Sequence, residues 1–333
     1  MNNLEILGLK ILRKLFHERS FPKYQKGKMS GLVDFRRCQY FDQKGNDYIL
    51  QRLNEYKGGG FMLSKWGTIE LSIAVPTYFS QRHKTLKNYY ECIRGLYDLW
   101  KKKETDSKLY TNAGVFPNNP TIHHQFGEQA LQDCQEIDIL GSYIKAEAAI
   151  SSLMNKATCV NLDAFYAPFM WENPWTQWLK GKRVLVIHPF VESISQQYHQ
   201  NRERLFKNPN VLPEFKELIC IKAVQSIGGN TPTHFKDWFE ALNYMKEEID
   251  SKEYDVAIIG CGAYGMSLAA HVKRQGKVAL HLAGWTQMLF GVYGKRWTEH
   301  QTKYSKYINE YWIRPNQKEA VKNMGLVEDG CYW

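Results

Sequence analysis

Apolar residues fall into short continuous runs separated by longer stretches in which they recur every three or four positions. That alternation predicts strands joined by helical crossovers in a mainly parallel sheet. Seven runs read as strands: Phe61 to Lys65, Ile137 to Leu140, Thr158 to Leu162, Arg183 to His188, Leu218 to Lys222, Asp255 to Gly260 and Val278 to Leu282. Helical spacing is best developed over Ile69 to Tyr78, Leu86 to Lys102, Thr121 to Cys134, Thr233 to Asp250 and Ala263 to Gln275, with Pro232 or Gly262 near two of the starts. The first twenty residues set Leu4, Leu7, Ile11 and Leu15 at helical spacing among Lys10, Arg13, Lys14 and Arg19. Such a basic amphipathic helix suits docking on an anionic membrane face, or packing on its own domain or a partner. From Phe21 to about Lys57 the periodicity is weak, and the stretch reads as irregular or locally helical. No repeat and no Ser/Pro/Gly-rich linker divides the chain. The expected organisation is an N-terminal lead-in over 1–57, one α/β domain over 58–300 and a C-terminal appendage over 301–333.

Composition narrows the class. A chain of 333 residues can bury about three-quarters of its unfolded surface. With 44% hydrophobic and 23% charged residues and no low-complexity tract, it is neither disordered nor collagen-like. Lysine and arginine number 44 against 34 aspartates and glutamates, a net charge of +10, which favours anionic partners such as nucleotide phosphates or acidic lipid. The cations are dispersed and no nucleic-acid module signature is present, so nucleic acid is not an expected partner. Seven cysteines lie far apart, with no CxxC pair and an odd count. They signal neither a zinc site nor a disulfide framework, and reduced thiols in the cytoplasm are expected. No apolar run approaches the roughly 18 to 20 residues that span a bilayer, and the N-terminus lacks the apolar stretch of a signal peptide.

Four junctions carry candidate chemistry. In the first, a buried strand runs from Asp255 into Gly260-Cys261-Gly262-Ala263-Tyr264-Gly265 and on into a helix. A GxGxxG turn of this kind aims backbone amides at phosphate, or permits close strand-to-helix packing. A nicotinamide site would add an acidic residue about 20 positions on to hold the ribose, but the next strand ends His281-Leu282-Ala283-Gly284. In the second, the strand from Arg183 ends at His188, with Glu192 four residues on. Ligands bind beyond such carboxyl ends in open parallel sheets, so His188, Glu192 and the Gly262 loop are expected to face one crevice. The third is Ser64-Lys65-Trp66-Gly67-Thr68-Ile69-Glu70, with Glu70 early in a helix, where it acts either on a ligand or on the helix dipole. The fourth is the glycine-punctuated segment Gly284 to Trp297, which contains Gln287 and ends with Lys295 and Arg296 between aromatics. Those cations either close over a diphosphate or form a solvated rim.

Together these junctions resemble the GT-D glycosyltransferases, nucleotide-sugar-dependent enzymes of bacterial glycoprotein and surface-polysaccharide synthesis, and especially their polysaccharide-cluster relatives, over roughly Phe61 to Trp297. Against the family's Arg-Phe-Gly-Asp-Gly-Glu segment this chain reads Lys65-Trp66-Gly67-Thr68-Ile69-Glu70. The glutamate is kept, but Thr68 stands where the family has the aspartate of its DxE metal motif, which argues against Mg or Mn bound through that motif. The resemblance implies a Rossmann-like, mainly parallel sheet with helices on both faces. It also implies transfer of a sugar from a nucleotide-sugar, a UDP-sugar foremost, to a glycan or lipid-linked acceptor in surface-polysaccharide or capsule synthesis, on the inner face of the membrane. In that frame Glu70, its rival Glu192, and His281 are the catalytic candidates. Ser64, Lys65, Gly67, Thr68, His188, Gly260, Gly262, Tyr264, Gln287, Lys295 and Arg296 are the donor-binding candidates. Charge on the departing diphosphate falls to Lys295, Arg296, His188 or His281 and to helix N-terminal amides. Two other classes stay open: an NAD(P)-dependent oxidoreductase, resting on the glycine turn alone, and a non-catalytic nucleotide- or polyanion-binding protein, resting on the net charge.

Overall fold

The computed structural model describes residues 1–20 and 38–333, with side chains for 1–16 and 38–333. All seven expected strands form: β1 (Phe61–Ser64), β2 (Ile139–Ser142), β3 (Thr158–Asn161), β4 (Arg183–His188), β5 (Glu217–Lys222), β6 (Val256–Ile259) and β7 (Val278–His281). They make one sheet in the order β3-β2-β1-β7-β6-β4-β5, every pair parallel. Around it lie α1 (Asn3–Ser20), α2 (Asp42–Asn54), α3 (Thr68–Ser80), α4 (Leu86–Ile93), α5 (Lys103–Ala113), α6 (Pro120–Asp133), α7 (Leu162–Tyr166), α8 (Val191–Leu205), α9 (Trp238–Asp250) and α10 (Tyr264–Arg274). The fold is therefore the expected Rossmann-like α/β arrangement with a helical N-terminus.

Side chains alternate across each strand, and in β4 both sets are apolar because both faces are covered. Leu185 and Ile187 share one core with α3, α6, α9 and α10; Val184 and Val186 share the other with α2, α7, α8 and part of the C-terminal segment. The crossovers explain this division. The β1–β2 and β6–β7 connections step in one direction over the α3/α10 face, whereas β4–β5 steps in the opposite direction over α8, as right-handed crossovers require. The neighbours whose outgoing connections diverge are β4 and β6, so the crevice beyond their carboxyl ends is the topological switch point.

Several elements differ from expectation. The helix expected over Leu86 to Lys102 ends at Ile93, where Gly95 turns the chain with a φ of 75°. A separate helix, α5, follows it. The helix expected from Thr233 begins only at Trp238, where the Asp237 carboxylate accepts the Glu240 N–H at 3.0 Å and caps it. Of the stretch from Phe21 to Lys57, residues 21–37 lie outside the described residues and α2 fills Asp42–Asn54. Beyond residue 300 the chain forms short 3-10 turns that pack closely: Tyr304 and Trp312 enter the second core, and Val327 and Trp333 pack with Phe190.

Candidate active-site cavity

All strands being parallel, their carboxyl ends share one edge, and a cavity of about 580 Å³ opens there. The glycine turn and the His188 junction lie side by side, as Ile187 registers against Ile259 and the Gly260 N–H donates to the Ile187 carbonyl at 2.9 Å. Gly262 takes a left-handed φ of 58°, which its lack of a Cβ permits. One amide expected to face phosphate is engaged by the protein itself: the Ala263 N–H donates to the carbonyl of Ala113 at 3.2 Å, where the end of α5 lies over the turn.

Two histidines flank this edge, and both are buried. The Nδ1 of His188 accepts the Phe190 N–H at 2.9 Å, so the ring is neutral and carries its proton on Nε2; burial pushes its pKa down to about 3. The Nδ1 of His281 lies 2.8 Å from the Ser64 hydroxyl, while its Nε2 is buried without a hydrogen-bond partner. Burial, helped by the nearby Lys65, pushes the pKa of His281 down to about 3 as well. Neutral imidazoles bring no charge to a diphosphate, contrary to the expectation from sequence. Gly265 is required beside them, because a Cβ at that position would collide with the His281 ring.

Glu70 lies in the first turn of α3 and folds back over Gly67, where any side chain would meet its carboxylate. Burial raises its pKa above the ordinary carboxylate value, Lys65 works against that rise, and Glu328 adds to it. The Lys65 ammonium and the Thr68 hydroxyl both reach the Tyr143 hydroxyl, at 3.5 and 3.3 Å. On the opposite wall, Arg296 donates to the Glu328 carboxylate and to the Cys331 sulfur, and lies over the Tyr332 ring at 4.4 Å.

Family models, curated proteins and solved structures give no match to this chain. The site therefore rests on geometry alone. The cavity gathers Lys65, Gly67, Thr68, Glu70, His188, Gly260, Gly262, Tyr264, His281, Gln287 and Arg296. Three other candidates are placed elsewhere. Ser64 is buried behind the wall, where it holds His281. Glu192 is half exposed and pairs with Lys222 at 3.4 Å, outside the cavity lining. Lys295 is exposed and also outside the lining.

The structure adds residues that no motif announced, among them Tyr143, Tyr166, Gln225, Gln301, Glu328 and Trp333. Some of these explain a concentration of unpaired polar atoms: Gln225 Nε2, His281 Nε2, Gln287 Oε1, Gln301 Oε1 and Trp333 Nε1 are all buried without a partner, and all belong to cavity-lining residues. Unsatisfied buried polar groups are rare in folded proteins; these five lie within the cavity wall rather than on its accessible surface. Among the described residues, no group of three or more His, Cys, Asp or Glu side chains is arranged to hold a metal ion.

Proposed function

We propose that the chain is a glycosyltransferase that binds a nucleotide-sugar in this cavity and passes the sugar to a glycan or lipid-linked hydroxyl. The observation that carries the reading is a carboxylate of raised pKa, Glu70, in the lining of a cavity that extends from the end of β1 to the β4–β6 switch point and also holds Lys65 and Arg296. The volume lies in the range of small-ligand sites. A base works best with a pKa near the working pH, and burial moves Glu70 in that direction. In the reaction the acceptor oxygen forms its bond to the anomeric carbon as the bond to the diphosphate oxygen breaks. The hydroxyl proton goes to Glu70, and the diphosphate leaves with the electron pair. Lys65 and Arg296 supply positive charge toward that leaving group.

The divalent metal that the family resemblance implies does not fit this donor set. Thr68 replaces a carboxylate and its hydroxyl lies against Tyr143, while the cationic Lys65 acts on Glu70. No step is routed through a metal. The oxidoreductase reading lacks support, since β7 ends in His281 with no acid to hold a ribose. Titration with UDP and NADH, followed by a panel of nucleotide-sugars assayed for binding and slow hydrolysis, tests the proposal. UDP should bind, NADH should not, and turnover of the preferred donor should survive EDTA. Binding of NADH alone, or turnover abolished by EDTA and restored by Mg or Mn, would overturn the reading or its metal-independent form respectively.

A further inference from the structure

The amphipathic helix α1 is mounted with its apolar stripe outward. Its inward side is set by Leu9, buried at 6% exposure, and by Arg13, which donates to the carbonyls of Cys92 and Tyr97 at 2.7 and 2.9 Å and pairs with Asp98 at 2.6 Å. On the other side Leu4, Leu7, Ile11, Leu12 and Leu15 are 45 to 80% exposed. At 3.6 residues per turn these five cover an arc of about 140°. That is broader than the two-position seam of a paired coil, and a heptad begun at Leu4 puts Lys14 where a second copy would need an apolar knob. The adjacent α4 adds Leu86 and Tyr90, one turn apart and 89% and 55% exposed.

Charge is concentrated on the same lobe. Residues 82–103 hold seven lysines and arginines against two acids, and residues 1–16 hold three against one. The two segments pack together through Arg13, through Lys10 over the Trp100 ring at 5.7 Å, and through the Tyr89 hydroxyl donating to Glu5 at 2.7 Å. They supply seven of the ten excess positive charges of the chain. No helix among the described residues is long and apolar enough to cross a bilayer, so attachment through this lobe would lie in the plane of the interface.

We propose that α1 and α4 form a docking surface for an anionic lipid bilayer, with the leucine stripe of α1 inserted among the acyl chains and the surrounding cations against lipid phosphates. The surface stands independently of the chemistry assigned to the cavity. The test is sedimentation of the full chain with vesicles of phosphatidylcholine alone and of phosphatidylcholine mixed with phosphatidylglycerol, beside a Leu7→Ser/Ile11→Ser variant. Both sites are more than half exposed, so the melting temperature should not move. The unsubstituted chain should partition onto the mixed vesicles, less onto neutral ones and less in high salt. The double variant should bind roughly tenfold more weakly or worse, from lost apolar burial. Equal binding by both proteins would mean charge alone and would overturn the proposal. So would absence of binding by the unsubstituted chain, or a concentration-dependent dimer that the double substitution dissociates.

Discussion

Acid should destabilise this protein through His188 and His281. The two rings are 2% and 4% exposed, and burial holds each near a pKa of about 3 against an ordinary 6.5. Because the folded values lie below the unfolded one, the unfolded chain takes up these protons first as pH falls. Stability is therefore lost progressively from about pH 6.5 down to about 3. At pH 5 the loss is about 2 kcal/mol for each ring and about 4 kcal/mol for the pair, a large part of a typical folding free energy. Urea unfolding followed by tryptophan fluorescence at pH 7 and pH 5 measures it. His188→Asn and His281→Asn are the informative variants, since an Asn oxygen can take the place of Nδ1 against the Phe190 N–H or the Ser64 hydroxyl. Each variant should lose about 2 kcal/mol less than the unsubstituted protein between the two pH values, whatever its stability at pH 7. The carboxylates elsewhere titrate alike in all three proteins and cancel in the comparison. Identical losses in all three would refute the neutral buried rings.

Glu70→Gln should keep nucleotide affinity while cutting turnover roughly a hundredfold. If the proposed transfer holds, the acid limb of kcat/KM in the unsubstituted protein should lie above pH 4.5, because burial raises this carboxyl and its ionised form is lost as pH falls through the raised value. Arg296→Ala should weaken nucleotide binding by about 2 kcal/mol. Glu328→Gln should instead tighten it, by releasing the guanidinium from its carboxylate partner; weaker binding by Glu328→Gln in isothermal titration would remove Arg296 from the diphosphate site. Glu319, 3% exposed, accepts the N–H groups of Glu192 at 2.8 Å and Ser193 at 3.3 Å at the start of α8. Glu319→Ala should cost about 2 kcal/mol in thermal unfolding, and an unchanged melting temperature would show that this cap contributes nothing.

The sheet was legible because its strands are short apolar runs, the central ones covered from both sides; Arg183–His188 was delimited to the residue. The adjacency of His188 and Gly260 followed from both lying at carboxyl ends. What escaped was set by long-range contacts. Gly95 could have warned that Leu86 to Lys102 was too long for one helix. The α5 helix has few apolar positions, Leu109 and Ala113 among its buried ones, and gave little periodicity. The periodicity of α1 defined a stripe of leucines without saying whether it turned inward, because that depends on Arg13 finding the carbonyls of Cys92 and Tyr97. The wall built from Glu328, Tyr332 and Trp333 was invisible, since short 3-10 turns have no pattern to read. Glu192 looked close to His188 in sequence, but α8 carries it to the surface beside Lys222.

The position of β7 bears on how the molecule assembles. It is the last strand made, yet it lies in the middle of the sheet, with β1 on one side and β6 on the other. Until it is in place the chain can form only two three-stranded pieces, β3-β2-β1 and β6-β4-β5, each with an unpaired apolar edge where β7 belongs. Such edges invite pairing with other chains, and contacts spanning 217 residues, as between Ser64 and His281, are slow to close. A nascent chain thus carries the open β1 edge from Phe61–Ser64 until Val278–His281 is made, whereas the β6 edge at Val256–Ile259 waits only for the next strand. The cavity needs both halves, His281 between them and the later wall of Glu328, Tyr332 and Trp333, so it can form only after that final strand is in place.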